Sequence, residues 1–280
     1  MNVLKRSPFL AVVCCVVLTA STAAIGQASP DQAFDKEAAA RAWWDLYFKD
    51  SQSVNLADGR TMNLMCEGEG SPVVILDAGM GNGAWTWRHV HAELARTTRV
   101  CAYDRSGYGQ SSRSAGERTA GAEADELAQL LERANLQAPY VLVGRSYAAY
   151  IDRLYASRHT NQVAALVLID PSSEYQFTRF GSVNPVAKSN DEYALSIARA
   201  TCLPALRSGK LDPACRQPPP PSDLPASRAD WWQQHALSLT EASYAEFVDM
   251  NSTSSEQLVT ERRSLGALPI LILVPGIIAE

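Results

Sequence analysis

The sequence predicts an α/β fold in which a mostly parallel sheet is flanked by helices, because apolar runs alternate with helical patterns. Residues 73–76 and 140–143 are continuous apolar runs typical of buried parallel strands. Residues 119–134 and 147–157 show helical patterns, so the run at 140–143 leads into a helix. The pentapeptide Gly144-Arg145-Ser146-Tyr147-Ala148 lies at that junction. Its spacing indicates a nucleophile elbow, in which small residues let strand and helix approach while the serine hydroxyl stays exposed.

The remaining elements follow in chain order. Residues 34–49 have helical spacing, and residues 53–56 and 60–67 are predicted to form a hairpin around an Asp-Gly turn. Residues 99–103 read as the fourth strand, and the helix at 119–134 is a crossover leading to the fifth. Residues 161–170 are predicted to carry the sixth strand, and residues 268–276 the seventh.

Composition limits the class of protein. The chain has 280 residues, of which 46% are hydrophobic and 20% charged, as expected for a globular protein with a sizeable core. The formal net charge is -5, and no run of Lys and Arg offers a footprint for phosphate backbones. We therefore expect no nucleic-acid partner.

Residues 1–28 have the pattern of a secretory signal peptide. Lys5 and Arg6 precede an apolar run at 9–20, and Gly26-Gln27-Ala28 is an acceptable cleavage site. The apolar run is shorter than the ~20 residues of a membrane-spanning helix, which favours removal over anchoring. A lipid anchor is the weaker alternative. We expect a secreted or periplasmic protein without a stable membrane anchor.

Four of the six cysteines follow this leader, and an even number in an oxidising compartment suggests disulfide pairs. Cys202 and Cys215 are predicted to pair, because the turns at Leu203-Pro204 and Asp212-Pro213 can bring them together. The four histidines form no ligand-spaced cluster with the cysteines, so we expect no metal site.

A glycine-rich loop follows the third strand and admits two interpretations. Residues 79–84 fit the Gly-x-Gly-x-x-Gly/Ala dinucleotide fingerprint, and Asp104 lies about 20 residues further on, as that fingerprint requires. Against it, Trp85 and Trp87 crowd the position that a pyrophosphate would take. The other interpretation is an oxyanion hole formed by the backbone amides of Met80 and Tyr147. We favour the second and expect no cofactor.

Four motifs occur in order along the chain. They are the Gly-Met-Gly loop, the Asp-x-x-Gly-x-Gly-x-Ser turn at 104–111, the Gly-Arg-Ser-Tyr-Ala elbow and the Leu-Val-Leu-Ile-Asp-Pro run at 166–171. Together they resemble the α/β-hydrolase superfamily. Cys-x-Gly at the end of strand two and Val-Cys-x-Tyr-Asp-Arg in strand four resemble, more closely, secreted serine hydrolases and esterases. The resemblance implies Ser146 as nucleophile, an acid after strand six or seven, and a histidine after strand eight. Asp170 and Glu280 both occupy plausible acid positions, with Glu174 a weaker third option.

The implied histidine is absent, and so is an eighth strand, so we expect a chain shortened at its C-terminus. His89, His91, His159 and His235 fall elsewhere in the sequence, and each is better explained by packing or surface exposure. Three interpretations stay open. The first is an exported carboxylic-ester hydrolase acting on a small molecule, which the missing histidine would inactivate. The others are a catalytically dead, binding-only relative and a dinucleotide-binding oxidoreductase.

The resemblance also implies the domain organisation and a second disulfide. Residues 29–171 and 267–280 would form the hydrolase core. Residues 172–266 are too long for a loop, show separate helical stretches at 192–199, 228–239 and 241–250, and would form a helical cap inserted after strand six. The implied sheet order places strand two beside strand four, which predicts a bridge between Cys66 and Cys101. Two unpaired core cysteines are the alternative.

Overall fold

The computed structural model describes residues 35–113 and 116–275. Its described part contains a seven-stranded sheet, with strands β1 Gln52–Asn55, β2 Thr61–Glu67, β3 Val73–Asp77, β4 Val100–Tyr103, β5 Tyr140–Arg145, β6 Val163–Ile169 and β7 Ile270–Leu273. Their order in the sheet is β1-β2-β4-β3-β5-β6-β7. The β1–β2 and β2–β4 pairs are antiparallel, and the remaining pairs are parallel. The predicted fold class is therefore confirmed.

Helices cover both faces of the sheet. The core on one face is built largely from α3 (Ala120–Arg133) and α4 (Ala148–Arg158), whereas the other face packs against the aromatic residues of α1 (Lys36–Lys49). The Asp35 carboxylate caps α1 by accepting hydrogen bonds from the amides of Glu37 and Ala38. The helices are α1 Lys36–Lys49, α2 His91–Leu94, α3 Ala120–Arg133, α4 Ala148–Arg158, α5 Gln176–Val183, α6 Pro185–Ile197, α7 Leu203–Arg207, α8 Ala229–Met250 and α9 Thr253–Thr260.

Both predicted disulfides are present. Cys66 and Cys101 are directly opposite each other across the antiparallel β2–β4 pair, with a Cα–Cα distance of 4.1 Å. Cys202 and Cys215 are joined with a Cα–Cα distance of 5.5 Å. The first bridge confirms the sheet order that the resemblance implied, and the second closes a loop within residues 172–266, which we call the helical segment.

The helical segment differs from its prediction in one main respect. Separate helices at 228–239 and 241–250 were expected, but α8 runs through both as one helix of 22 residues. Thr240 stands at the expected break, and its hydroxyl donates to the Ala236 carbonyl at 2.6 Å while the backbone stays helical. No glycine or proline interrupts this stretch, so the chain has no local reason to stop. The prediction of two helices was wrong.

Strand β7 forms one edge of the sheet within the described residues. Its four residues, Ile270–Leu273, are 46% to 57% exposed although all are apolar. Pro269 and Pro275 flank the strand, which is shorter than the predicted range 268–276.

Some predictions fall outside the described residues. The signal peptide at 1–28 does so, as does Glu280. Of the helices in residues 35–113 and 116–275, none combines the length and apolar character needed to cross a bilayer.

Candidate active site

Ser146 lies at the carboxyl end of β5 in a left-handed backbone conformation, with φ of 53°. This conformation costs a non-glycine residue about 1–3 kcal/mol, so surrounding contacts must hold it. Two backbone hydrogen bonds do so: the Ser146 amide donates to the Ile169 carbonyl at 3.0 Å, and the Ser172 amide donates to the Ser146 carbonyl at 3.1 Å. The strand-to-helix turn predicted from the pentapeptide is thus attached to the end of β6.

Small residues permit this turn, as the spacing predicted. A Cβ atom on Gly79 would lie 3.3 Å from both the Arg145 carbonyl oxygen and the Ser146 Cβ, so the glycine-rich loop packs directly against the elbow. A Cβ on Gly144 would collide with the Asp152 carboxylate of α4. Ala148 is fully buried, which shows that a methyl group fits where the elbow pattern has its second glycine.

Ser146 is partly exposed, and among the described residues its hydroxyl has one side-chain hydrogen-bond contact. Its Oγ lies 3.5 Å from the Oγ of Ser172, which is too long for a strong O–H···O hydrogen bond. Within residues 35–113 and 116–275, no histidine and no carboxylate hydrogen-bonds to Ser146. A nucleophilic serine needs a base to accept its proton, and Ser172 does not supply one.

The two predicted oxyanion donors flank this serine. Met80 follows Gly79, which contacts the elbow, and Tyr147 follows Ser146 and precedes α4. In the described part of the chain, neither the Met80 nor the Tyr147 amide donates to a protein acceptor. The loop is held just after Met80, where the Gly81 amide donates to the Tyr108 hydroxyl at 3.2 Å. Such unpaired, fixed amides are suited to bind developing negative charge.

The candidate acids occupy different environments. Asp170 lies at the end of β6 with an exposed side chain and φ of 45°, and its amide donates to the Leu273 carbonyl at 2.7 Å. Glu174 accepts hydrogen bonds from Arg153 at 2.6 Å and Arg262 at 2.9 Å. Burial opposes ionisation, but these arginines lower the pKa of Glu174 to about 2. Glu174 is therefore a structural ion-pair residue.

Each of the four histidines has a partner away from Ser146. His91 is buried with Nδ1 2.7 Å from a Glu67 oxygen, and the His235 ring nitrogen lies 2.7 Å from a backbone carbonyl. The partners are Asp223 for His89, Glu67 for His91, Tyr155 for His159 and Trp231 for His235. The packing and surface roles predicted for these histidines agree with their contacts.

The contacts of Asp104 argue against a dinucleotide site. Asp104 is fully buried and accepts hydrogen bonds from the Ala84 amide at 2.8 Å and the Tyr47 hydroxyl at 2.7 Å. It also accepts from the side chain of Asn63 and the amide of Gln110. These donors occupy the carboxylate that would have to bind a ribose hydroxyl.

A buried ionic cluster lies beside the glycine-rich loop. Arg105 donates to Asp77 at 2.8 Å and to both Glu246 oxygens at 3.0 Å. Arg118 pairs with Glu123 and lies 3.6 Å from Glu246. Desolvation by burial raises the pKa of Glu123 well above its ordinary value, while Arg118 opposes that shift. We did not predict this cluster from the sequence.

A cavity of about 510 Å³ opens beside the candidate donor Met80. Trp85 and Trp232, whose rings meet edge to face at 5.6 Å, form part of its wall, together with prolines 218–221. Asn82, Thr86, Arg88 and Ser243 add polar groups, so the lining is polar and apolar in about equal measure. A space of this size and character suits a small organic molecule.

Comparison with known proteins gives matches across most of this architecture. The family model for the alpha/beta hydrolase fold matches residues 72–251. Uncharacterized protein YqjL of Bacillus subtilis is 33% identical over 106 residues, which are 38% of this chain and 42% of that protein. An AB hydrolase superfamily protein of Gibberella zeae is 27% identical over 178 residues, covering 59% of this chain and 51% of that protein. The chain therefore spans about half or less of these relatives.

Among solved structures, the haloalkane dehalogenase DatA from Agrobacterium tumefaciens C58 superposes with a TM-score of 0.55 and 20% identity. The superposition covers 79% of this chain and 77% of that one. At this identity the likeness establishes the fold alone.

Proposed function

Because the chain belongs to the alpha/beta hydrolase fold family, we propose that it is an exported hydrolase of small carboxylic esters with Ser146 as its nucleophile. The observation that carries the proposal is the left-handed Ser146, partly exposed at the carboxyl edge of the sheet. Ligands of open α/β sheets bind at this edge. A strained residue kept in this conformation is typical of a functional site.

The proposed reaction proceeds through an acyl-enzyme. The Ser146 Oγ attacks the ester carbonyl carbon, the alcohol leaves with a proton, and water then releases the acid and restores the serine. The amides of Met80 and Tyr147 would bind the oxyanion of each tetrahedral intermediate. Loss of one such donor typically lowers kcat by about 10²–10³.

The helical segment would act as a cap over the serine. Its helix α8 reaches the catalytic edge, because Ser243 lies about 3.4 Å from a Cβ built on Gly81. The cavity beside Met80 is lined on one side by the glycine-rich loop and on the other by the helical segment. We assign one arm of the ester to this cavity, because its lining includes Met80 but not Ser146 itself.

The two disulfides support the proposed export, since such bonds persist in oxidising compartments. Asp170 and Glu280 remain the proposed candidates for the acid. The base has no candidate at hydrogen-bond distance of Ser146 in residues 35–113 and 116–275.

The lack of a base near Ser146 among the described residues favours a second candidate function, that of a binding-only relative of the same fold. An enzyme that turned over at ~10 s⁻¹ would fall to about 10⁻⁵ s⁻¹ after losing its triad base. The serine and its oxyanion donors would then bind a carbonyl compound without turning it over.

Fluorophosphonate labelling of the mature protein tests the proposal, with p-nitrophenyl acetate hydrolysis measured in parallel. We expect Ser146→Ala to abolish both signals. Ser106→Ala is the matched control, because Ser106 is a buried serine whose hydroxyl accepts a hydrogen bond from Arg60. Equal loss in the two variants would show that Ser146 is the wrong serine. A wild-type protein that neither labels nor hydrolyses would contradict the hydrolase and support the binding-only relative.

A further inference from the structure

The glycine-rich loop is held in place by buried side chains that the proposed reaction does not itself use. We propose that Arg105, Tyr108 and Glu246 are positioning residues that fix the Met80 amide, so that α8 sets the oxyanion geometry. This inference rests on the proposed function, and it adds that the helical segment takes part in forming the site as well as covering it.

Arg105 holds the start of the loop. Its guanidinium donates to the carbonyl oxygens of Ala78 and Gly79, the latter at 3.3 Å, and to the Asp77 carboxylate at 2.8 Å. These three residues join the end of β3 to Met80. The orientation of the peptide planes before Met80 therefore depends on where Arg105 lies.

Tyr108 holds the other side of the loop. Its hydroxyl accepts the Gly81 amide at 3.2 Å and donates its own proton to Glu246 Oε2 at 2.8 Å. The peptide that follows Met80 is thereby connected to a carboxylate. Arg105 also stacks on the Tyr108 ring, with the guanidinium carbon 5.0 Å from the ring centre.

Glu246, which lies on α8 of the helical segment, accepts hydrogen bonds from both Arg105 and Tyr108. Its two oxygens accept from Arg105 Nε and Nη2, both at 3.0 Å, in the bidentate geometry that gives the strongest ion-pair hydrogen bonds. Arg105, Tyr108 and Glu246 are almost completely buried, so water cannot replace a lost partner at little cost. A shift of α8 would therefore be transmitted to the loop through Glu246.

The opposite charges in this cluster favour one arrangement of the Arg105 and Glu246 side chains. Arg105 lies between the carboxylates of Asp77 and Glu246, while Glu246 also lies 3.6 Å from Arg118. Each charged group has at least one opposite partner, and the bidentate pair fixes one orientation. An apolar α8 residue would pack in this space without fixing the peptide planes on each side of Met80.

The test compares Tyr108→Phe and Glu246→Gln with Glu241→Gln. The control removes a carboxylate from the same helix, where it pairs with Arg113 near the surface. Amide hydrogen exchange of a peptide spanning residues 78–83 reports on the loop without requiring activity. We expect exchange at the Gly81 amide to rise at least ~10-fold in Tyr108→Phe, because the amide loses its acceptor, with no rise in the control.

Fluorophosphonate labelling gives the second readout. We expect the labelling rate to fall ~10–100-fold in both test variants while the control labels like the wild type, as expected when an oxyanion donor is misplaced. Tyr108→Phe should be less stable, because two buried hydrogen bonds are lost, but it should still unfold in one cooperative transition above the assay temperature, which separates positioning from a loss of fold. Where Glu246→Gln does not fold, Tyr108→Phe alone decides the result.

Unchanged exchange in Tyr108→Phe relative to the control would overturn the inference. Faster exchange with an unchanged labelling rate would also overturn it, because the loop would then be coupled to Glu246 without setting the oxyanion geometry. If the wild type does not label at all, the proposed function fails by itself, and the exchange comparison still decides whether α8 holds the loop.

Discussion

Asp152 lies beneath the elbow in an environment that should make the stability of the protein depend on pH. It belongs to α4, is fully buried, and neither of its carboxylate oxygens has a hydrogen-bond partner among the described residues. Burial is the main reason why the pKa of Asp152 is raised well above its ordinary value, and the charge of Asp77 raises it further. Arg105 forms an ion pair with Asp77 and so favours its charged form. Of the two carboxyl groups, Asp77 and Asp152, it is therefore Asp152 that keeps the proton.

The sign of the effect follows from proton linkage. A carboxyl group with a raised pKa binds its proton more tightly in the folded protein than in the unfolded chain, where the pKa is about 3.9. The resulting stabilisation is complete below that value and is lost as pH rises towards the folded-state pKa. Within this window the contribution of Asp152 to the free energy of unfolding falls by about 1.4 kcal/mol per pH unit.

The variant Asp152→Asn removes this titration while keeping the size of the side chain. We therefore expect the free energy of unfolding of the variant, minus that of the wild type, to increase by about 1 kcal/mol between pH 4.5 and 5.5. Urea unfolding with the disulfides intact, followed by circular dichroism, gives this difference at each pH. A constant offset is expected from replacing one buried polar group with another, so the slope carries the prediction.

Asp170→Asn is the matched control, because it makes the same chemical change at an exposed position. The control removes the general effect of net charge from the comparison. A difference curve for Asp152→Asn that stays flat from pH 4 to 7 would refute the reasoning. The carboxyl group would then be hydrated or paired in solution.

Two further predictions concern stability. Replacing Cys66 and Cys101 together by Ala opens a loop of 35 residues and should cost about 4 kcal/mol by the loop-entropy relation, measured by urea unfolding; a loss below about 1 kcal/mol would contradict it. Glu174→Gln should lower the free energy of unfolding by about 1–2 kcal/mol at pH 7, because the variant loses the ion pairs that lower the pKa of Glu174 to about 2. The stabilisation from these ion pairs is complete above pH 4.5 and disappears as pH falls towards 2. Thermal melts at pH 7 and pH 2.5 test it, and an equal loss at both would count against the ion pairs.

Local patterns predicted much of the fold and the position of the serine. The apolar run before Gly144 and the small residues around Ser146 define the elbow within a few positions, so their spacing carries enough information. The disulfide between Cys202 and Cys215 was likewise readable, because nearby turns bring the two residues together. These features depend on contacts between residues close in sequence.

The buried ionic cluster could not be predicted in this way. Arg105 and Glu246 are 141 residues apart, and nothing near either one shows that they meet. One signal was available in the sequence: Glu246 lies four residues from Ala242 and four from Met250, so the three share one face of a helix. An isolated charge on a face that packs against the core is costly. A carboxylate at a core-facing helical position implies a cationic partner, although the sequence does not identify which arginine it is.

The residue after β5 and the residue after β6 are each hydrogen-bonded to the end of the neighbouring strand. The candidate nucleophile and the candidate acid therefore depend on different strands of the sheet. Ser146 and Asp170 both have positive φ, and each donates its amide to a carbonyl at the end of the next strand, Ile169 on β6 and Leu273 on β7. Since β6 is paired on both sides, the position of Ser146 is supported from within the sheet. Asp170 depends on β7, whose apolar side chains are about half exposed in the described part of the chain. A perturbation of β7 should therefore displace the candidate acid before it affects the nucleophile.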